Sequence, residues 1–386
     1  MFNMTIKGEF DKPRTGNGHS PIFSMPSTLE TICPRKGHGI SCVERMFSLL
    51  ILLLLSCQVF PAVYRLNDQN DSVVGEIRIT TSIHEDTLPD IARNNGLGYE
   101  EIKLVNPEMD TWLPGEGSKI TLPVEFVLPQ SSRKGLVLNI PEMRLYYFPG
   151  TGKENSMEVI TYPLGVGREG WNTPYTSTTI TGKIKDPSWY PPESIRKEHE
   201  EMGEPLPKIV KPGPENPLGN FAMRLGIPSY LIHGTNKPYG VGMRVSHGCI
   251  RLYPEDIKEL FEKISIGTPV TIVNQPYKVG SRNGRIFLEA HPYLEEDAGQ
   301  FEGNLTTVVR MLVNITSERQ YAVDWNLAKQ VINEHKGIPV AIGRFISTPE
   351  IITSNNQDMA GENAPAVQGL ELRLDTDLHS LEQEMF

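Results

Sequence analysis

The sequence predicts a multidomain protein in which a small α+β unit is followed by a larger, mainly-β domain and a small α+β extension. Within residues 76–124, two helix patterns lie between two strand patterns, in βααβ order. Residues 135–274 contain short apolar strands at close spacing with turn residues between them, which indicates a β-sandwich-like domain with a short helix. Residues 275–343 mix strand and helix patterns, and they form the predicted extension.

Length and charge limit the classes of protein to which the chain can belong. A chain of 386 residues has room for about two or three domains. Its net charge of −10 argues against nucleic acid as a partner, because phosphate binding needs clustered Lys and Arg. Residues 344–386 are polar and acidic, and we predict that they form a disordered tail.

The N-terminal region has the features of a leader. Residues 1–45 are rich in Gly, Pro, Ser and Thr without a clear period, so we expect them to be unstructured or to lie upstream of the true start. The apolar run Met46–Leu55 is too short to span a bilayer and predicts a signal peptide over residues 46–62. A lipoprotein processing site at Cys57 is the alternative. Cleavage of the signal peptide would leave Cys249 as the one cysteine, and a lone thiol in an oxidising compartment suggests that the thiol is used.

The predicted βααβ unit begins with an alternating strand over Glu76–Thr80. Asp86 is the predicted N-cap of the first helix, and the second helix, Tyr99–Val105, ends before Pro107. Lys119–Pro123 is the closing strand. This order resembles a LysM module, and the similarity lies in Asp86-Thr87-Leu88, Ile91-Ala92, Asn106-Pro107, Leu113-Pro114-Gly115 and Ile120-Thr121-Leu122-Pro123. The resemblance implies binding of glycan strands that contain N-acetylglucosamine, and a spacer that binds nothing is the alternative.

The mainly-β domain is predicted from its short strands and one helix. Apolar strands cover Gly135–Ile140, Met143–Phe148 and Glu158–Gly165. A helix is predicted to begin at Pro254, because proline is favoured in the first turn of a helix. The strand Pro269–Val273 closes the domain.

A proline-rich segment, Asp186–Gly219, interrupts this domain. Proline fixes φ and cannot donate to a strand ladder, so the segment is predicted to be irregular and not part of the sheet interior. Long irregular inserts in compact domains are often functional, which favours a lid over the site, with a mobile surface loop as the alternative.

The extension is predicted to contain a strand at Arg285–Ala290 and helices at Leu305–Ile315 and Trp325–Asn333. Its histidines, His291 and His335, are isolated in the sequence. We therefore expect no catalytic group of residues in this part of the chain.

Two segments carry the candidate chemistry, His233-Gly234-Thr235 and Ser246-His247-Gly248-Cys249-Ile250-Arg251. A thiol attacks as thiolate, and its ordinary pKa leaves only a small ionised fraction near neutrality, so a neighbouring imidazole would activate it. His233 ends the apolar strand pattern Tyr230–Ile232, and backbone amides beside Cys249 can form an oxyanion hole. Three other interpretations stay open: an inert buried cysteine, a zinc site of His233, His247 and Cys249, and ordinary turns at Gly234 and Gly248.

These two segments, with Gly167–Pro174, resemble the L,D-transpeptidases that have a YkuD-type catalytic domain. The resemblance implies that Cys249 is the nucleophile, that His233 is the proton donor and acceptor, and that the backbone carbonyl of Gly234 orients the His233 ring. It implies no cofactor and no metal ion. The implied contacts to the oxyanion and the substrate come from Ser246, His247, Gly248 and Arg251.

A member of that family is expected to act on peptidoglycan stem peptides in the periplasm, beside glycan strands, and to be acylated by carbapenems. The acceptor is either a second stem peptide, which gives a 3-3 cross-link, or the terminal Lys of an outer-membrane lipoprotein. Two further alternatives stay open: an L,D-carboxypeptidase, for which water is the acceptor, and a non-catalytic peptidoglycan-binding protein.

Overall fold

The computed structural model of the chain describes residues 63–150, 157–301, 305–316 and 321–346. The predicted unstructured segment 1–45, the predicted signal peptide 46–62 with Cys57, and the predicted tail beyond residue 346 lie outside the described residues. No helix in the described ranges is both long enough and apolar enough to cross a membrane.

The N-terminal part contains the strands β1 (Val63–Arg65), β2 (Val73–Gly75), β3 (Arg78–Thr81), β4 (Lys119–Leu122) and β5 (Glu125–Val127), and the helices α1 (Leu88–Asn94) and α2 (Tyr99–Val105). The order β3-α1-α2-β4 is the predicted βααβ order, and β3 pairs antiparallel with β4. The predicted N-cap is wrong by one residue, since Thr87 caps α1 by accepting from the Asp90 amide at 3.2 Å. Asp86 accepts instead from the amide of Ile83, in the turn before the helix.

The mainly-β domain contains the strands β6 (Gly135–Asn139), β7 (Arg144–Phe148), β8 (Glu158–Pro163), β9 (Val166–Gly167), β10 (Thr176–Lys185), β11 (Phe221–Leu225), β12 (Leu231–His233), β13 (Arg244–Ser246), β14 (Ile250–Arg251) and β15 (Pro269–Val273), and the helices α3 (Glu193–Glu201) and α4 (Pro254–Lys263). The prediction of a mainly-β domain with few helices is confirmed. Its large sheet has the order β1-β8-β7-β6-β15-β10-β11-β12-β14. The edge strand β1 comes from residues that were not predicted to be structured, and β2 pairs with β5 beside it.

The large sheet curls at the ten-residue strand β10. The first part of β10, Thr176–Thr179, pairs with β15, and the second part pairs with β11 after a register shift between Ile180 and Gly182. Such an irregularity bends and twists a strand, so the two halves of the sheet can enclose one core. The predicted sandwich is therefore corrected: its two layers are halves of one continuous sheet.

The prediction of a single short helix in this domain is wrong, because α3 lies inside the proline-rich segment. The prolines of the segment indicated irregular structure, but Pro192 is in fact the N-cap residue of this helix. Ile195 is the one residue of α3 that is buried, so the helix has no apolar stripe that a sequence pattern would reveal.

Both faces of the large sheet are covered. On one face, Leu136 of β6 packs in a cluster with Ile257 of α4. On the other face, Val137 packs in a cluster with Leu88 of α1 and Ile102 of α2. Successive residues of β6 thus belong to two different cores, which explains why the strand is a continuous apolar run without alternation.

The βααβ unit is fixed to the large sheet by more than apolar packing. Arg144 of β7 donates from Nε to Glu101 of α2 at 2.6 Å, and both side chains are buried. In addition, the backbone amide of Tyr99 donates to the carbonyl of Val241. The unit is therefore part of the same packed body as the sheet that carries the candidate site.

The extension contains the strands β16 (Tyr277–Arg282), β17 (Arg285–Ala290), β18 (Tyr321–Val323) and β19 (Val340–Phe345), and the helices α5 (Ala298–Phe301), α6 (Leu305–Thr316) and α7 (Trp325–Glu334). Its sheet has the order β16-β17-β19-β18. His291 has a partner in the fold, because its Nε2 lies 2.6 Å from Oε1 of Glu289. Lys278 Nζ lies 2.8 Å from Glu289 and 2.8 Å from Glu142 of the mainly-β domain. This buried group of Glu142, Lys278, Glu289 and His291 is called the junction cluster below.

Candidate active site

Two adjacent parallel strands bring the candidate nucleophile and base into one cavity. The register pairs Ile232 with Ile250 and His233 with Arg251, so β12 and β14 run side by side. Cys249 immediately precedes β14, and His233 is the last residue of β12. Cys249, His233, Arg251, Ser246 and His247 all line a cavity of about 630 Å³. Pairing of β12 with β14 therefore brings together two motifs that are separated in the sequence.

His233 is held in one tautomer. Its Nδ1 lies 2.6 Å from the carbonyl oxygen of Gly234, and since a carbonyl only accepts, Nδ1 carries the proton. In the neutral ring Nε2 is then unprotonated and free to accept a proton. Burial lowers the pKa of His233 to about 4, the positive charge of Arg251 adds to this, and the Gly234 hydrogen bond opposes it.

Cys249 is half-buried, and Sγ donates to the carbonyl oxygen of Ser229 at 3.6 Å. Burial raises the pKa of the Cys249 thiol, against a hydrogen bond from the Leu231 backbone and the charge of Arg251. Near neutral pH the resting pair is therefore a thiol and a neutral imidazole. Such a pair needs the imidazole to remove the thiol proton during attack, which is general-base chemistry.

The turn before Cys249 is fixed through its carbonyl groups. Ser246 Oγ donates to the carbonyl of Cys249 at 2.6 Å, and Thr173 Oγ1 donates to the carbonyl of Gly248 at 2.9 Å. Gly248 has a φ of 97°, a region that favours glycine. The backbone amides of His247, Gly248 and Cys249 donate to no acceptor in the described part of the chain. Free amides on a fixed turn are the donors that an oxyanion hole requires.

His247 is held from the side by two charged residues. Its Nε2 lies 3.1 Å from Oε2 of Glu198 on α3, while the other carboxylate oxygen accepts from Arg168. The rings of Trp171 and His247 are nearly perpendicular, with a centroid distance of 4.9 Å. The hydrogen bonds from Arg168 and then His247 hold the pKa of Glu198 below its usual range. Arg168, Glu198 and His247 are called the turn clamp below.

The zinc interpretation finds no support in this geometry. His247 Nε2 is engaged with Glu198, and a guanidinium nitrogen of Arg168 lies 3.2 Å away. Within the described ranges, the ligand atoms that gather within 4.8 Å of one another belong to Glu142, Glu289 and His291, not to the candidate site. There the ammonium group of Lys278 already bonds to both carboxylates, so the position that a cation would take is filled by the protein.

Several residues at the site were missed by the sequence reasoning. Glu198 lies in the proline-rich segment, far from both motifs, and Thr173 and Ser229 act through contacts that no spacing reveals. The similarity of Gly167–Pro174 to the family was the one signal that pointed to Arg168 and Thr173.

A thiol, an imidazole and free backbone amides on one cavity are the groups that cysteine-dependent acyl transfer requires. The YkuD family, an L,D-transpeptidase catalytic domain, matches residues 133–272. The probable L,D-transpeptidase ErfK/SrfK of Escherichia coli strain K12 is 36% identical over 301 residues, covering 75% of this chain and 94% of that protein. The probable L,D-transpeptidase YbiS of the same strain is 35% identical over 306 residues, covering 78% and 98%. The probable L,D-transpeptidase YcfS is 36% identical over 271 residues, covering 69% and 83%. The chain belongs to the L,D-transpeptidase family.

Proposed function

We propose that the protein is a peptidoglycan L,D-transpeptidase that uses Cys249 to form a thioester with the stem peptide. The observation that carries the proposal is the arrangement at one cavity: a thiol, an imidazole with its tautomer fixed by Gly234, and free amides on the turn before the thiol. The donor is a tetrapeptide stem, and the attacked group is the carbonyl of its third residue, meso-diaminopimelate.

The proposed reaction has two halves. In the first, Nε2 of His233 takes the thiol proton as Sγ of Cys249 attacks the carbonyl carbon. The amides of His247, Gly248 and Cys249 hold the oxyanion, and the C–N bond breaks as His233 gives its proton to the leaving amine of D-alanine. In the second half, His233 takes a proton from an acceptor amine that attacks the thioester, and the thiol is regenerated with that proton.

Arg251 and Ser246 have supporting roles in this proposal. Arg251 is half-buried, lines the cavity and faces His233 across the strand pair, so its charge is available to an anionic donor peptide. Ser246 fixes the turn by its hydrogen bond to the carbonyl of Cys249. Carbapenems would acylate the same thiol.

The acceptor decides which of three products forms. A second stem peptide gives a 3-3 cross-link, the terminal Lys of an outer-membrane lipoprotein gives an anchored lipoprotein, and water makes the enzyme an L,D-carboxypeptidase. All three reactions place the protein in the periplasm, in keeping with the signal peptide expected over residues 46–62.

We also infer that the βααβ unit is a LysM module that binds glycan strands. The proposal is supported by the β3-α1-α2-β4 order and by large apolar side chains that stay exposed beside it, Ile83, Trp112 and Leu113. Replacing Trp112 with Ala should weaken binding of the full-length protein to chitin-type oligosaccharides without changing D-alanine release. Equal binding by both proteins would favour the spacer interpretation.

The test of the main proposal is intact mass of the protein after incubation with a disaccharide-tetrapeptide, with and without a peptide that carries the lipoprotein's terminal Lys. We expect an adduct on Cys249 that lacks D-alanine, and the Cys249→Ala variant should form none. Transfer to the Lys peptide identifies an anchoring enzyme, transfer to a second stem identifies a cross-linking enzyme, and release of the tripeptide identifies a carboxypeptidase. No adduct and no D-alanine release from the native protein would favour a non-catalytic peptidoglycan-binding protein.

A further inference from the structure

Arg224 is a cation in the candidate cavity that the reaction proposed above does not use. It lies on β11, its side chain is exposed, and it is among the residues that line the cavity. In the described ranges no carboxylate forms an ion pair with it, whereas Arg168 and Arg244 both have one. An unpaired guanidinium in a substrate cavity is available to an anionic ligand.

The sheet register fixes how far Arg224 lies from the nucleophile. Arg224 pairs with Leu231, and the β12–β14 register places Leu231 beside Cys249. Adjacent strands lie about 4.8 Å apart, so two strand spacings separate Arg224 from Cys249, about 10 Å along the cavity floor. The next row on the same face of these strands, two residues along, contains Ala222, His233 and Arg251.

On its other side Arg224 pairs with Gly182 of β10, and its side chain runs past that glycine. A Cβ built on Gly182 would lie 3.6 Å from Cδ of Arg224, 3.8 Å from its Cβ and 3.9 Å from its Cγ. Since Gly182 carries no side chain, nothing at that position competes with the guanidinium for the cavity floor.

We propose that Arg224 forms an anionic subsite that binds the distal carboxylate of the donor's third residue, and this rests on the proposed function. The attacked carbonyl and this carboxylate lie at opposite ends of a seven-carbon chain, roughly 7 Å apart when extended. The carboxylate of the departing D-alanine lies only about 3.5 Å from the same carbonyl, so the distal carboxylate is the closer match to the separation of about 10 Å between Arg224 and Cys249. A guanidinium group binds a carboxylate through two parallel hydrogen bonds, so the subsite reads both charge and shape.

The experiment measures steady-state release of D-alanine by the full-length protein and by its Arg224→Gln and Arg224→Lys variants. Three tetrapeptide donors are compared: one with all carboxylates free, one amidated at the distal carboxylate of the third residue, and one amidated at the second residue. We expect Arg224→Gln to raise KM for the free donor about tenfold with kcat nearly unchanged, and Arg224→Lys to give a smaller increase.

The donors separate recognition from a general defect. The native protein and Arg224→Gln should have the same KM for the donor amidated at the third residue, while the tenfold difference persists for the donor amidated at the second. Arg285→Gln, which removes an exposed arginine of the extension, is the matched control and should leave all values unchanged. A KM difference that follows the second residue's carboxylate, or that is equal for all donors, would overturn the assignment. Absence of D-alanine release by the native protein with every donor would instead refute the proposed function.

Discussion

The junction cluster and the turn clamp are built from the same kinds of residue, but they differ in exposure. In the junction cluster, the side chains of Glu142, Lys278 and Glu289 have no solvent exposure, and His291 is also buried. In the turn clamp, Arg168, Glu198 and His247 expose 40%, 27% and 25% of their side chains. Exposure decides what a charged contact can contribute, so the two clusters have different tasks.

The junction cluster is a structural element with a high cost of disruption. Taking charges out of water is expensive, and hydrogen bonds to every charged group are needed to offset this cost. Those bonds are present: Lys278 bridges two carboxylates, Tyr146 donates to Glu142, and the amide of Val127 donates to Glu289. Because Val127 precedes the catalytic domain and Lys278 follows it, the cluster ties three parts of the chain together.

The turn clamp contributes little to stability but lies where position matters. Exposed ion pairs typically contribute about 0–1 kcal/mol, because water and salt screen them. His247, however, is two residues before Cys249 and belongs to the turn with the free amides. A small shift of that turn would move the donors of the proposed oxyanion hole. Ion pairs of the same residue types thus stabilise the fold where they are buried and position the site where they are exposed.

Replacing Lys278 with Met should have the largest effect on stability. The variant leaves two buried carboxylates without their common cation, so we expect the free energy of unfolding to fall by about 3–5 kcal/mol. Chemical denaturation measures this value. Lys336→Met, which removes an exposed lysine of the same extension, is the control. A loss below about 1 kcal/mol for Lys278→Met would show that the cluster is not the tie between the parts of the chain.

The loss of stability at acid pH provides a second test of the buried junction cluster. Lys278 and His291 hold the pKa of Glu142 below its ordinary value of 4.5, against the effect of burial. A lowered folded-state pKa contributes stability above the unfolded-state pKa, and this stability is lost as the pH falls through the folded-state pKa. Denaturation measured below pH 5 should therefore show a steeper decline for the native protein than for Glu142→Gln. Parallel curves would mean that Glu142 has the same pKa in both states.

The two clusters also mark the limit of what the sequence can predict. The sequence could bring forward Cys249, His233 and Gly234 as candidates because their motif is short and their chemistry is local to two segments. The βααβ order was found because capping residues and Pro107 mark the helix ends. Lys278 and Glu289 face each other across the hairpin of β16 and β17, but Glu142 is far from both in the sequence. A charged residue in a strand pattern is ordinarily expected to face water, and the burial of this group with Glu142 depends on how the extension packs on the large sheet.

The sequence did not predict the helix α3 for a related reason. Its residues are nearly all polar, and the prolines around it indicate irregular structure, so neither periodicity nor composition points to a helix. Its carboxylate at Glu198 could not be assigned to the site without the fold. The curl of the large sheet was missed because strand pairing across β10 is not encoded in any one strand.

Replacing Glu198 with Ala should break the turn clamp with a moderate effect on activity. We expect kcat for D-alanine release to fall about tenfold, while the midpoint of chemical denaturation stays close to that of the native protein. Glu198→Gln, which keeps the hydrogen-bonding shape, should recover part of the loss. Glu201→Ala on the same helix is the control and should resemble the native protein. An unchanged kcat in Glu198→Ala would make the clamp a surface contact without influence on the turn.

The smallest effect is expected at Arg93 and Glu255, which join the βααβ unit to α4. Arg93 donates to both oxygens of Glu255 at 2.7 and 2.8 Å, but the side chains are 35% and 37% exposed. Glu255→Gln should lower the free energy of unfolding by less than about 1 kcal/mol, and high salt should remove the difference, because exposed pairs are screened. The buried pair of Arg144 and Glu101 joins the same two parts of the chain, so Arg144→Met should cost several times more, about 3–5 kcal/mol. Equal losses for the two variants, measured by denaturation at low and high salt, would show that exposure does not set the value of these contacts.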